Sequence, residues 1–121
     1  MTENKVLCLS TLDSKRQDMK IRGCINWLID LFINELPNYL NELQQAINSG
    51  NGEAIYLAAH KFKGSSSNLG AVGIVNLCKQ LEKIGHAEDI QQAKWIMENV
   101  MDKEINALKA ALEQEKQREK I

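Results

Sequence analysis

Residues 59–71 read Ala-His-Lys-Phe-Lys-Gly-Ser-Ser-Ser-Asn-Leu-Gly-Ala, and the fold turns on how this stretch is arranged. Ile55, Ala58, Ala59, Phe62, Ser66 and Leu69 recur at three- and four-residue steps, which predicts an amphipathic helix over about 53–68 with these side chains inward. Gly70 closes that helix and Ala71 opens the next region. At about 100° per residue, Lys63 and Gly64 fall beside His60 one turn on, and Ser67 falls nearly in line two turns on. One face thus carries an imidazole, a cation, a gap without a side chain and a hydroxyl, with Glu53, Tyr56 and Leu57 on the same side. That layout suits a histidine that another protein approaches closely and that must hold a phosphoryl group.

Working outward, Ile25, Ile29, Phe32, Leu36, Leu40, Leu43 and Ile47 form the stripe of a long helix over about 23–48. Pro37 lies inside it; because the stripe stays in phase, a local kink is expected rather than a break. Ser49-Gly50-Asn51-Gly52 is a turn. On the other side, Ile74, Leu77, Cys78, Leu81 and Ile84 predict a helix over about 72–86. Ile90, Ala93, Met97, Val100, Ile105, Leu108 and Leu112 predict a last one over about 89–117, fraying in the polar run from Glu113 to Lys120. Residues 5–20 are ambiguous between a strand and a helix. A short helix capped by Asp13 or Ser14 and lying across the end of the other four is the favoured reading. Four amphipathic helices joined by short turns predict an all-α fold: an antiparallel up-down-up-down four-helix bundle with a short extra N-terminal helix.

The 121 residues are the size of one domain, 1–121, and a net charge of −1 gives no general basic surface for nucleic acid. The three cysteines, Cys8, Cys24 and Cys78, are odd in number and lack a Cys-x-x-Cys pair. They predict reduced thiols in a cytoplasmic protein, with neither a disulfide framework nor a metal site. No signal peptide is visible, and the best apolar run, 24–33, is interrupted by Asn26 and Asp30, so no membrane span is expected. Met1 and the single-domain length favour a free-standing chain without settling it, and a monomer is the default expectation.

The stretch 59–71 resembles the signature of histidine phosphotransfer (HPt) domains, Ala-His-x-Leu-Lys-Gly-Ser-Ser-x-x-Leu-Gly-Ala, with Phe62 in place of the usual leucine. The Phe-x-x-x-Leu-Pro-x-x-Leu-x-x-Leu run at 32–43 and the Leu-Cys-x-x-Leu-Glu run at 77–82 are similar to that family's helices. The resemblance implies the same helical bundle. It implies a carrier that accepts a phosphoryl group on His60 from a receiver-domain aspartate and passes it to another receiver. It implies response-regulator receiver domains and a hybrid sensor histidine kinase as partners. It also places a Glu or Gln beside the phosphoacceptor: Glu82 is the candidate acceptor for the imidazole Nδ1–H, leaving Nε2 outward, with Gln80 as the fallback.

The residue types agree with that chemistry. Neutral imidazole is a competent nucleophile toward phosphorus when one nitrogen is bare. Lys63 can neutralise phosphoryl charge, since phosphoryl transfer asks mainly for positioning and electrostatics. Gly64 costs a helix roughly 1 kcal/mol relative to alanine, which close approach of a partner explains better than stability. Ser67 can hydrogen-bond phosphoryl oxygens, whereas Ser65 and Ser66 read as small packing residues. His86 reads as a capping or surface residue.

Cys24, Trp27, Leu28 and Leu31 widen the apolar surface of the second helix. They are either covered by the N-terminal helix or exposed for docking, and the resemblance implies receiver docking there and against the histidine helix, where Tyr56 and Leu57 fit a small apolar patch around His60 and Lys61, at a different azimuth, adds charge at the rim. Trp95 packs or lies half-exposed on the last helix. Magnesium is expected from the receiver, with no cofactor bound by this chain. No nucleotide-binding loop is present, and His60 is followed by Lys61 rather than an acidic residue, so autokinase activity is not expected. The alternative is a helical-bundle adaptor that binds receivers without accepting phosphate.

Overall fold

The computed structural model describes residues 6–19 and 24–119, without the side chains of 16–19, 24, 118 and 119; the expectation for Cys24 therefore lies outside the described residues. The helices are α1 (Leu9–Met19), α2 (Cys24–Ser49), α3 (Gly52–Asn68), α4 (Val72–Ala87), α5 (Ile90–Ile96) and α6 (Asp102–Glu119), and a π turn over Met97–Met101 joins α5 to α6. No strand occurs among the described residues. The rod from α5 through α6 is continuous, with right-handed helical backbone at Ile96, Met97 and Asp102. It acts as the fourth bundle helix, so the four-helix bundle with an added N-terminal helix is the observed fold. α3 packs against α2 on one side and α4 on the other, and α6 closes the ring against α2 and α4.

Local signals set the boundaries. Asn51 caps α3 by accepting from the N–H groups of Glu53 at 3.0 Å and Ala54 at 3.3 Å. Gly70 at φ +72° ends it, with Gly70 N–H donating to Ser67 O at 3.0 Å and Ala71 N–H to Ser66 O at 2.9 Å. α2 runs unbroken through Pro37, which offers no N–H to the Ile33 carbonyl.

Three sequence expectations change. α1 begins at Leu9, not at a cap on Asp13 or Ser14. The preceding residues are non-helical and lie on the α3–α4 loop: Cys8 N–H donates to Gly70 O at 2.6 Å, and Gly73 N–H to Val6 O at 3.3 Å. The last helix does not fray from Glu113, because Glu115 is buried and Lys116 donates to Asp30 of α2 at 2.6 Å. Its buried stripe also departs from a single α period. Ala93 and Ile96 are followed by Met101 and then Ile105, Leu108 and Leu112, because the π turn absorbs an extra residue.

The core is otherwise the anticipated one. Ile25, Ile29, Phe32, Leu36, Leu43, Ile47, Ile55, Ala59, Phe62, Leu69, Ile74, Leu77, Cys78 and Leu81 are buried, with Leu40, Ala58 and Ile84 half-buried at its edge. Phe62, fully buried, stacks on Tyr39 at 5.1 Å, so the apolar substitution within the motif serves the α2–α3 contact.

Candidate functional site

His60 stands in the middle of α3 with 58% of its side chain exposed. Its Nδ1 lies 2.7 Å from Oε2 of Glu82 on α4, whose side chain is 11% exposed. The other carboxylate oxygen, Oε1, accepts from Lys63 Nζ at 2.8 Å. Lys63 sits one turn after His60, so one carboxylate on the neighbouring helix holds both residues. Burial by itself pushes the Glu82 carboxyl upward; the hydrogen bonds from Lys63 and His60, together with their charges, outweigh it and hold the group below the usual carboxylate range. An ionised Glu82 accepts the Nδ1 proton, which leaves Nε2 with its lone pair. Cys78, one turn before Glu82 and buried, is pushed up to about 12 by desolvation and by the Glu82 charge, so it stays a thiol.

Gly64 is exposed, and a Cβ built on it meets nothing within 4 Å. No internal packing requires glycine there, so its small size opens space only outward, beside His60. Ser67 is exposed on the same face but about 10 Å farther along the helix axis at 1.5 Å per residue. The structure does not bring it to the imidazole. Ser66 is buried, with its hydroxyl lacking a partner among the described residues, and Ser65 bonds the Tyr39 hydroxyl at 2.6 Å. Gln80, the fallback acceptor, is exposed, and it is Glu82 that meets the ring.

The docking candidates fall in three places. Trp27 (63% exposed) and Leu31 (45%) face outward from α2, which decides against their being covered by α1. With Leu28 half-buried beside them, Leu28 and Leu31 line a groove of about 380 Å³ that continues over Phe32, Glu35, Tyr39, Ser65, Asn68 and Leu69. Leu57 and Lys61 lie on the side of α3 that faces α2, in a shallow depression with Glu42 and Ala46. Lys61 Nζ donates to Glu42 Oε1 at 3.0 Å, so this cation is already paired in the free chain. Tyr56 faces the other way, toward α4.

His86, read from sequence as a surface residue, belongs to the neighbourhood of the site. Tyr56 stacks on His60 with centroids 5.7 Å apart and planes 16° apart, and its ring lies 4.3 Å from that of His86. The spacing carries half of the signal, the sharing of a face within each helix, and the packing of α4 on α3 supplies the rest. Tyr56 is four residues before His60 and His86 four after Glu82, so each pair shares a helix face. Trp95 is exposed on α5, and among the described residues no three His, Cys, Asp or Glu side chains are grouped to hold a metal ion. No described helix is long and apolar enough to cross a membrane.

The comparisons agree with this geometry. The family model for the Hpt domain matches residues 28–118. The crystal structure of histidine-containing phosphotransfer protein B (HptB) from Pseudomonas aeruginosa PAO1 matches with a TM-score of 0.84 and 31% sequence identity, over 96% of this chain and 98% of that one. No curated protein matches. With a family match over most of its length and an exposed, carboxylate-anchored histidine on the matching fold, the chain belongs to the Hpt domain family, the histidine phosphotransfer proteins of phosphorelays.

Proposed function

We propose that His60 accepts a phosphoryl group from the aspartyl phosphate of one receiver domain and delivers it to the aspartate of another. The observation that carries this reading is the 2.7 Å contact from Nδ1 to Glu82 on a ring that is otherwise exposed. The Nε2 lone pair attacks phosphorus; the P–O bond to the aspartate breaks and the carboxylate leaves with its electrons. No proton has to move, because Nδ1 keeps its own. The product is a phosphorylated imidazolium whose positive charge faces the Glu82 carboxylate, so the same contact that selects the tautomer stabilises the carried state. Running the steps backward delivers the group to the next receiver. Lys63, held at the edge of the site by Glu82, supplies positive charge near the phosphoryl oxygens. Gly64 leaves room for the partner's aspartate.

The chain is a phosphotransfer intermediate without autokinase activity, acting as a cytoplasmic monomer. Its partners are response-regulator receivers and a hybrid sensor histidine kinase, and the receiver brings the magnesium ion. Trp27, Leu28, Leu31 and Leu57 form apolar ground for docking on either side of the α2–α3 seam, and such transient encounters need only a modest patch. The test is incubation with a receiver carrying labelled aspartyl phosphate. Acid-labile, base-stable label should appear on this chain and be absent from His60→Gln. Label that survives the substitution would remove His60 as the acceptor, and a chain that binds receivers without taking label would be an adaptor.

A further inference from the structure

Glu82 restrains the His60 ring through Nδ1, because Cβ, Cγ and Nδ1 lie in the ring plane. One hydrogen bond still tolerates a spread of angles, and the ring torsion of histidine is intrinsically broad. In-line attack on phosphorus requires the Nε2 lone pair, which lies in the ring plane, to point along one line. A second contact narrows that spread, and a ring among the described residues is placed to make it.

Tyr56 lies on the same face of α3, with its ring 5.7 Å from His60 and only 16° from parallel, inside the range of offset aromatic contacts. Its own place is determined by α4. His86 meets it at 4.3 Å, tilted by 38°. The backbones also come unusually close here. A Cβ on Gly85 would lie 2.5 Å from Gly52 O and 2.9 Å from Tyr56 N, so only glycine lets α4 approach this turn. The Tyr56–His86 and His60–Glu82 contacts are thus two rungs, one helical turn apart, between the same two helices.

We infer that Tyr56, braced by His86, is a positioning residue that, together with the Glu82 hydrogen bond, holds the plane of the His60 imidazole for transfer through Nε2. This role rests on the phosphotransfer reading above. It differs from that of a docking residue, which the sequence alone suggested for Tyr56, because a stacked ring acts on the rate within the complex and not on its formation.

The test is transfer from a phosphorylated receiver domain to the full chain over a range of receiver concentrations, with NMR of the His60 ring protons on the same samples. Tyr56→Ala should lower the saturated rate about tenfold, the scale of a misoriented reacting group, with an unchanged half-saturating concentration. Tyr56→Phe, which keeps the ring, should restore the rate. His86→Ala should slow transfer in the wild-type background and have no further effect in Tyr56→Ala, the coupling expected of a group that acts only through its neighbour. The His60 ring resonances should shift on loss of the Tyr56 ring current. An unchanged saturated rate with a raised half-saturating concentration would overturn the inference in favour of docking, and additive effects would overturn the bracing by His86. A wild-type chain that accepts no phosphoryl group would instead overturn the phosphotransfer reading and this role with it.

Discussion

Each oxygen of Glu82 has its own partner, His60 on Oε2 and Lys63 on Oε1. A glutamine at this position has one carbonyl oxygen and an amide that cannot accept, so it satisfies one partner and repels the other. Glu82→Gln should therefore slow transfer about tenfold or more, read in the same receiver assay. It should also change how stability depends on pH. The folded carboxyl is held below its ordinary value of 4.5, so its contribution is fully present above that value and is lost as pH falls through the lower folded value. Urea unfolding should show the wild type ahead of Glu82→Gln at neutral pH and the gap closing in acid; a gap that ignores pH would contradict the ion-pair account. Gly64 separates fold from function. With nothing within 4 Å of its missing Cβ, Gly64→Ala should raise stability by about 1 kcal/mol in a thermal melt, while Gly64→Gln should fold normally and block transfer. His60, Lys63 and Gly64 were legible because one helix carries all three. Glu82 could be located only through the family resemblance, and His86 was missed, because the spacing from Glu82 to His86 acquires meaning only once α4 is set beside α3.

At the scale of elements, the α3–α4 contact is the most demanding. Gly85→Ala would force Cβ against the backbone of Gly52 and Tyr56, where no flexible side chain can give way. Chemical unfolding should show a loss of about 3 kcal/mol or more, the upper end for overpacking, and a loss well under that would mean the helices slide apart cheaply. The end of α4 has the opposite opportunity. Glu88 adopts φ +57° as its N–H donates to Gly85 O at 3.1 Å, a conformation that costs a residue with a side chain about 1 kcal/mol or more. Glu88→Gly should raise the midpoint of thermal unfolding. Helix positions were readable from the apolar period to within a residue or two, with two exceptions. The π turn was hidden because the step from Val100 to Ile105 reads as an ordinary gap in an amphipathic stripe. The start of α1 was hidden because what fixes it is the docking of Cys8 on Gly70, a contact remote in sequence.

Over the whole molecule, the bundle sorts its thiols by environment. Cys78 is buried in the core and pushed up to about 12, whereas Cys8 is lowered to about 7 by hydrogen bonds from Ser10 and Thr11. Mass spectrometry after brief alkylation of the native chain should find Cys8 modified well before Cys78. Equal rates would mean that the core opens readily. The same arrangement that shelters Cys78 presents His60: α4 brings a carboxylate beneath the ring, α3 leaves a glycine beside it, and the ring's far nitrogen is left to solvent. The most direct test of that arrangement is to phosphorylate the ¹⁵N-histidine-labelled chain from a receiver and locate the P–N bond by NMR. Phosphorus bonded to Nε2 of His60, with the proton still on Nδ1, is the predicted result. Phosphorus on Nδ1, or on His86, would contradict the account.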